Sequence, residues 1–158
     1  MKKLILAMAV VAFSVANVQA QDGSKSTTLS LGVNVGIPTT TGYSIAYGAD
    51  LQADFAVAPT TKITASAGYE NLKVKGIDAN TYFIPVLGGA KFNLGSDKLY
   101  GHAQLGYGFA KGGSGAFAYA PSLGYYFSPN LDASVKYLAF SKNSFTTGSV
   151  NLRLAYSF

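Results

Sequence analysis

The chain has no cysteine, no tryptophan and one histidine, and only 12% of its 158 residues are charged. Without cysteine there can be no disulfide scaffold and no thiolate-ligated metal site. A lone histidine argues against a transition-metal centre, and no cofactor is expected. The charged fraction is about half that of an ordinary soluble domain. The excess of 12 basic over 7 acidic residues is modest and scattered, so it gives no basic patch for nucleic acid. Long apolar runs are also missing beyond residue 20. Two stretches without charge, 26–49 and 112–131, are broken by Gly, Ser or Thr and by Pro38, Pro121 and Pro129. They would make poor bilayer helices.

The chain is rich instead in glycine (18), tyrosine (11) and phenylalanine (10). That composition disfavours both a helical bundle and a disordered chain, and the length suits one domain. Residues 1–20 form a unit of their own: a basic start (Met1-Lys2-Lys3), an apolar stretch over 4–18, and Val18-Gln19-Ala20 at the end. This is the three-part pattern of a secretory signal peptide cleaved after Ala20. A membrane anchor is the competing reading, but the apolar stretch is short and polar residues follow it. The fold domain is then 21–158.

Period-two alternation fills that domain. Leu29, Leu31, Val33, Val35 and Ile37 alternate with Ser30, Gly32, Asn34 and Gly36. Tyr43, Ile45, Tyr47, Ala49, Leu51, Ala53, Phe55 and Val57 follow, and both acids of that segment, Asp50 and Asp54, fall on the other parity. Successive strand side chains point to opposite faces, so each such segment is a ribbon with one apolar and one polar side. Six more segments repeat the pattern, ending with 150–158. Eight strands of about ten residues are long enough to cross hydrocarbon at a tilt. The sequence therefore predicts an all-β fold, an eight-stranded antiparallel up-and-down transmembrane β-barrel. Tight turns at Pro59-Thr60-Thr61, 95–98 and Ser128-Pro129-Asn130 mark one end, and longer connections over 38–42, 71–80, 111–115 and 141–146 the other. An even strand count puts both termini at the turn end.

A soluble eight-stranded barrel, apolar inside, is the alternative. Volume argues against it, because eight strands enclose little more than their own side chains. Most of the bulky Tyr, Phe, Leu, Val and Ile share one face, and Gly, Ser, Asn and the charges share the other. Bulk suits a lipid exterior and small residues suit a crowded lumen. Two aromatic bands support this orientation. Phe55, Phe92, Phe127 and Phe158 lie toward the turn end; Tyr43, Tyr69, Tyr82, Phe109, Phe117 and Phe140 lie toward the loop end.

The terminal run Val150-x-Leu152-x-Leu154-x-Tyr156-x-Phe158 resembles the closing signature of bacterial outer-membrane barrels. The segments 84–92 and 125–132 also resemble the small outer-membrane β-barrel family, labelled porin-like, with OmpX and OmpA barrels as its eight-stranded examples. The likeness spans 26–158. It implies the cell outer membrane of a Gram-negative bacterium, recognition of the last strand by the barrel-assembly machinery, contact with outer-membrane lipid and lipopolysaccharide, and a monomer. The loops are shorter than in barrels that display long adhesive loops.

The lumen side would carry Asp50, Asp54, Glu70, Lys91, His102, Asp132, Lys136 and Arg153. Charges in so narrow a space must pair or hold water. They read as a self-satisfied plug or as the lining of a narrow passive pore, with room for water left by glycines such as Gly32, Gly106 and Gly124. His102 with Ser66, Ser122 or Ser134 leaves a lipid-modifying enzyme open, though a hydrogen-bonding lumen histidine is the plainer reading. Gly88-Gly89 and 112–115 lack the context of phosphate loops. Lys73 and Lys75 suit a solvated loop or contact with anionic lipopolysaccharide. The expected role is structural, in the envelope, with surface binding through the loops as the alternative and no enzymatic activity.

Overall fold

The computed structural model describes residues 27–110 and 115–158. The expected signal peptide, 1–20, lies outside the described residues. Eight strands follow one another: β1 (Thr27–Pro38), β2 (Tyr43–Ala58), β3 (Thr61–Val74), β4 (Asn80–Asn93), β5 (Leu99–Ala110), β6 (Gly115–Ser128), β7 (Leu131–Lys142) and β8 (Phe145–Ser157). Each pairs antiparallel with the next, and β8 pairs with β1, closing the barrel in chain order. Closure leaves no strand edge unpaired, which is what a hydrocarbon environment demands of a sheet.

The alternation read from the sequence becomes an inside and an outside. On β1, Leu31, Val33 and Val35 are exposed, while Ser30, Gly32 and Asn34 between them are buried. On β8, Val150, Leu152, Leu154 and Tyr156 are exposed, while Asn151, Arg153 and Ala155 are buried. The molecule thus buries polar and charged groups and exposes large apolar ones, the reverse of a soluble barrel. Among the described residues no helix is long and apolar enough to cross a membrane. The crossing belongs to the strands.

Two features depart from the sequence reading. The strands are longer than ten residues, at 12 to 16. They extend into segments expected as loops, because backbone pairing continues where the apolar alternation stops: Lys73 pairs with Asn80 and Ser141 with Thr146. The loop-end connections shrink to 39–42, 75–79 and 143–144, little different from 59–60, 94–98 and 129–130 at the turn end. The expected asymmetry of connection length is therefore weak. The hairpin tip expected over 112–115 lies outside the described residues except for Gly115, which opens β6.

The second departure is inside. Ala46, Leu72, Phe83, Leu87, Ala116, Ala118, Ala120, Leu138 and Phe140 form an apolar cluster within the barrel, mostly in its loop-end half. Phe83 and Phe140 stack at 4.1 Å between centroids and 9° between planes. Gly108 makes this stack possible, since a Cβ there would overlap the Phe140 ring. Phe140, expected in the outer aromatic band, is therefore an interior residue.

Prolines leave their mark on the ladders. The β3–β4 pairing skips from Ala67↔Val86 to Glu70↔Phe83 beside Pro85, and the β6–β7 pairing skips from Tyr119↔Ala139 to Ser122↔Lys136 beside Pro121. A proline has no N–H to donate, so the ladder on one side must open there.

Candidate functional site

The turn-end half of the lumen is polar, and every charged residue expected in the lumen is buried, Glu70 nearer the loop end than the others. Asp50 of β2 stands at its centre. Arg153 of β8 donates to it twice, Nη2 to Oδ1 at 2.6 Å and Nε to Oδ2 at 2.9 Å, and Lys136 of β7 donates Nζ to Oδ2 at 3.2 Å. The fork of a guanidinium fits a carboxylate in this two-bond way. Gly32 faces Asp50 across the β1–β2 ladder, and a Cβ there would collide with the guanidinium. A small residue at that spot is what lets Arg153 lie across the barrel.

Arg153 also reaches Asp132, Nη1 to Oδ2 at 3.9 Å, and the same carboxylate accepts a hydrogen bond from the Tyr100 hydroxyl. Nearer the turn end, Lys91 donates to Asp54 at 2.8 Å and lies 4.7 Å from the Tyr100 ring centroid. Gln52 donates to the other Asp54 oxygen at 2.6 Å. His102 shares a 2.8 Å hydrogen bond between Nε2 and Thr64 Oγ1, and Gln104 donates to Ser66 at 2.8 Å. Toward the apolar half, Glu70 is held by three neutral donors: Asn34 at 2.6 Å, Ser149 at 3.0 Å and Asn151 at 3.0 Å.

The geometry thus brings Asp50, Asp132, Lys136 and Arg153 into one network and Asp54 with Lys91 into a second. Glu70 and His102 sit apart, each with uncharged partners. The neutral partners of the charged groups and of His102 (Asn34, Gln52, Thr64, Tyr100, Ser149 and Asn151) were not singled out in the sequence as members of the network, although strand parity assigns them to the inner face. Chemically the arrangement stores paired charge. A buried ion pair adds little net stability, but breaking one leaves a naked buried charge. Among the described residues no cluster of His, Cys, Asp and Glu could hold a metal ion.

On the outside, Phe92, Phe127 and Phe158 are exposed toward the turn end and Tyr69, Phe109 and Phe117 toward the loop end, with Phe55 and Tyr82 half-buried. Neighbouring rings touch within this surface, as in Tyr69–Tyr82 at 5.6 Å and Tyr156–Phe158 at 5.4 Å. Tyr43 departs from the expectation of an interface residue. A register shift between Tyr43 and Ile45 reverses its parity, so it packs against the interior cluster and donates to Thr81 at 3.3 Å. The outward row Val150, Leu152, Leu154, Tyr156 and Phe158 lies on the strand that closes the barrel, and Phe158 donates its N–H to the Leu29 carbonyl at 2.9 Å.

No family model matches the sequence, and no curated protein does. Solved structures do. The attachment invasion locus protein Ail of Yersinia pestis superposes with a TM-score of 0.62 at 17% identity, over 84% of this chain and 97% of that one. The N-terminal β-barrel domain of Pseudomonas aeruginosa OprF gives 0.62 at 11% identity, over 85% and 100%. The outer membrane enzyme PagL gives 0.62 at 16% identity, over 80% and 98%. Together with the inverted sidedness, these likenesses establish the fold as that of the small eight-stranded barrels of the outer membrane.

Proposed function

We propose that this chain is a monomeric structural barrel of the bacterial outer membrane, plugged against solute flow and contributing to envelope integrity. The observation that carries this reading is the filled lumen. Ion-paired residues centred on Asp50 occupy the turn-end half and the Phe83–Phe140 stack occupies the loop-end half. Eight strands leave an interior only wide enough for such side chains. Its partners are the lipids around the apolar wall, including lipopolysaccharide, and the barrel-assembly machinery, which engages the outward row ending in Phe158.

Surface binding is the second reading. A loop-end rim with Lys73, Lys75 and Lys142 against Asp78 favours anionic surfaces. The short connections, 143–144 above all, give little reach, and the likeness to Ail is one of fold. His102 hydrogen-bonds Thr64 and none of Ser66, Ser122 or Ser134 among the described residues, and the likeness to PagL is one of fold.

Planar-bilayer recording of the purified, folded protein tests the plug. A flat current trace is expected across applied voltages. Discrete conductance steps would overturn the plug and favour a narrow pore.

A further inference from the structure

One side of the outer wall is built unlike the rest. Tyr47, Asn71 and Tyr82 stand in one cross-strand row on β2, β3 and β4, at the level of the loop-end aromatic band. Asn71 shares the outward parity of Tyr69 and Lys73, which flank it on β3 and are both exposed. An asparagine on a lipid-facing wall is costly unless its amide is satisfied. Its Nδ2 donates to the Tyr69 hydroxyl at 3.1 Å, but its Oδ1 is buried and has no hydrogen-bond partner. One row above, Lys73 lies beside Asn80, and Lys75 follows in the connection 75–79. Below, the wall thins to Ala65, Ala67 and Gly88, where a Cβ would meet only the Thr64 carbonyl oxygen, at 3.8 Å.

We infer that this wall is a seat for a phosphorylated glycolipid of the outer leaflet. The inference rests on the reading above that outer-membrane lipid is this chain's partner, and it names the site. Lys73 and Lys75 supply the cationic contact for a phosphate at the membrane surface. Asn71 Oδ1 requires a donor, so the headgroup brings an amide or hydroxyl as well as negative charge. Asn71 Oδ1 is covered, but Tyr47 and Tyr69 beside it are 43% and 42% exposed, so displacement of either ring opens that oxygen to a headgroup. The small residues below leave a trough for an acyl chain, with aromatic rings at its top where amphipathic groups sit best.

The test uses the folded, full mature protein in phosphatidylcholine vesicles containing either bisphosphorylated lipid A or phosphatidylglycerol at equal charge. The readout is the temperature at which heat-modifiable gel mobility is lost, titrated against the added lipid. A higher midpoint in lipid A than in phosphatidylglycerol is expected for the wild type and for Lys98→Gln, an exposed lysine of the turn-end connection 94–98. Lys73→Gln with Lys75→Gln is expected to weaken the apparent affinity about tenfold or more. Asn71→Leu, with its folding checked by heat-modifiable mobility in phosphatidylcholine alone, is expected to abolish the preference for lipid A. If the lysine pair is replaced and the full gain survives, the seat is overturned while the glycolipid remains a partner. If Asn71→Leu keeps the preference, the headgroup-donor contact is overturned and with it the choice of glycolipid. If the wild type gains nothing from lipid A over phosphatidylglycerol, both the seat and the lipopolysaccharide partner fall.

Discussion

Asp50 is the residue on which the lumen turns. Two cations lie on one carboxylate, with side chains that are 10% exposed or less. Asp50→Ala would leave Arg153 and Lys136 without their shared partner. The expected cost is about 3–5 kcal/mol, because a cation stripped of its counter-ion in such a space loses far more than the pair ever contributed. Urea unfolding in detergent micelles, followed by tyrosine emission, measures it. A loss below about 1 kcal/mol would show the network to be bathed in water. Combining Asp50→Ala with Arg153→Met should cost less than the sum of the two changes, since the second removes the charge the first leaves bare. These charged members of the lumen were legible from the sequence, because on a ribbon with one apolar face any charge declares the other face. Their neutral partners were less so. Asn34, Thr64 and Asn151 carry no charge to announce themselves, and only parity assigns them. Tyr43 was illegible: one bulged position reverses parity, and nothing in Tyr43-Ser44-Ile45 marks the shift.

At the scale of the strand, the β7–β8 hairpin shows what alternation does and does not specify. The strands run to Lys142 and from Phe145, joined by Asn143 and Ser144 with φ of 49° and 69°. Two successive left-handed residues make the tight turn whose twist matches the flanking strands. Asparagine tolerates that conformation; serine does so at a cost. Ser144→Gly is expected to stabilise the barrel by about 0.5–1 kcal/mol and Ser144→Val to destabilise it. Unfolding midpoints of the two variants would show the opposite signs, and equal midpoints would mean that the hairpin adopts another turn. The sequence marked strand centres well but ends poorly, since polar residues continue a ladder as readily as apolar ones. It was also silent on the apolar cluster. In β4, Phe83, Pro85 and Leu87 are apolar on the inner parity while Tyr82, Ile84 and Val86 are apolar on the outer, so periodicity there distinguishes no face.

For the whole molecule, the lumen and the wall are one design: ionic groups cancel each other within, and hydrocarbon side chains meet lipid without. A charge placed on the wall should therefore cost according to depth. Val135→Arg, midway along β7, is expected to destabilise by about 2–4 kcal/mol and Ile37→Arg, near the loop rim, by about 1 kcal/mol or less. Unfolding from lipid vesicles reads both, and equal penalties would mean that Ile37 lies as deep in hydrocarbon as Val135.

The absence of native cysteine makes the most direct test clean. Single cysteines introduced in turn from Asp132 to Tyr137, each carrying a nitroxide, can be read in lipid vesicles for collision with oxygen and with a water-soluble nickel chelate. Ala133, Val135 and Tyr137 should collide freely with oxygen and rarely with nickel, while labels at Asp132, Ser134 and Lys136 should meet little oxygen. The opposite phase, or no period of two, would contradict the orientation on which the whole account stands.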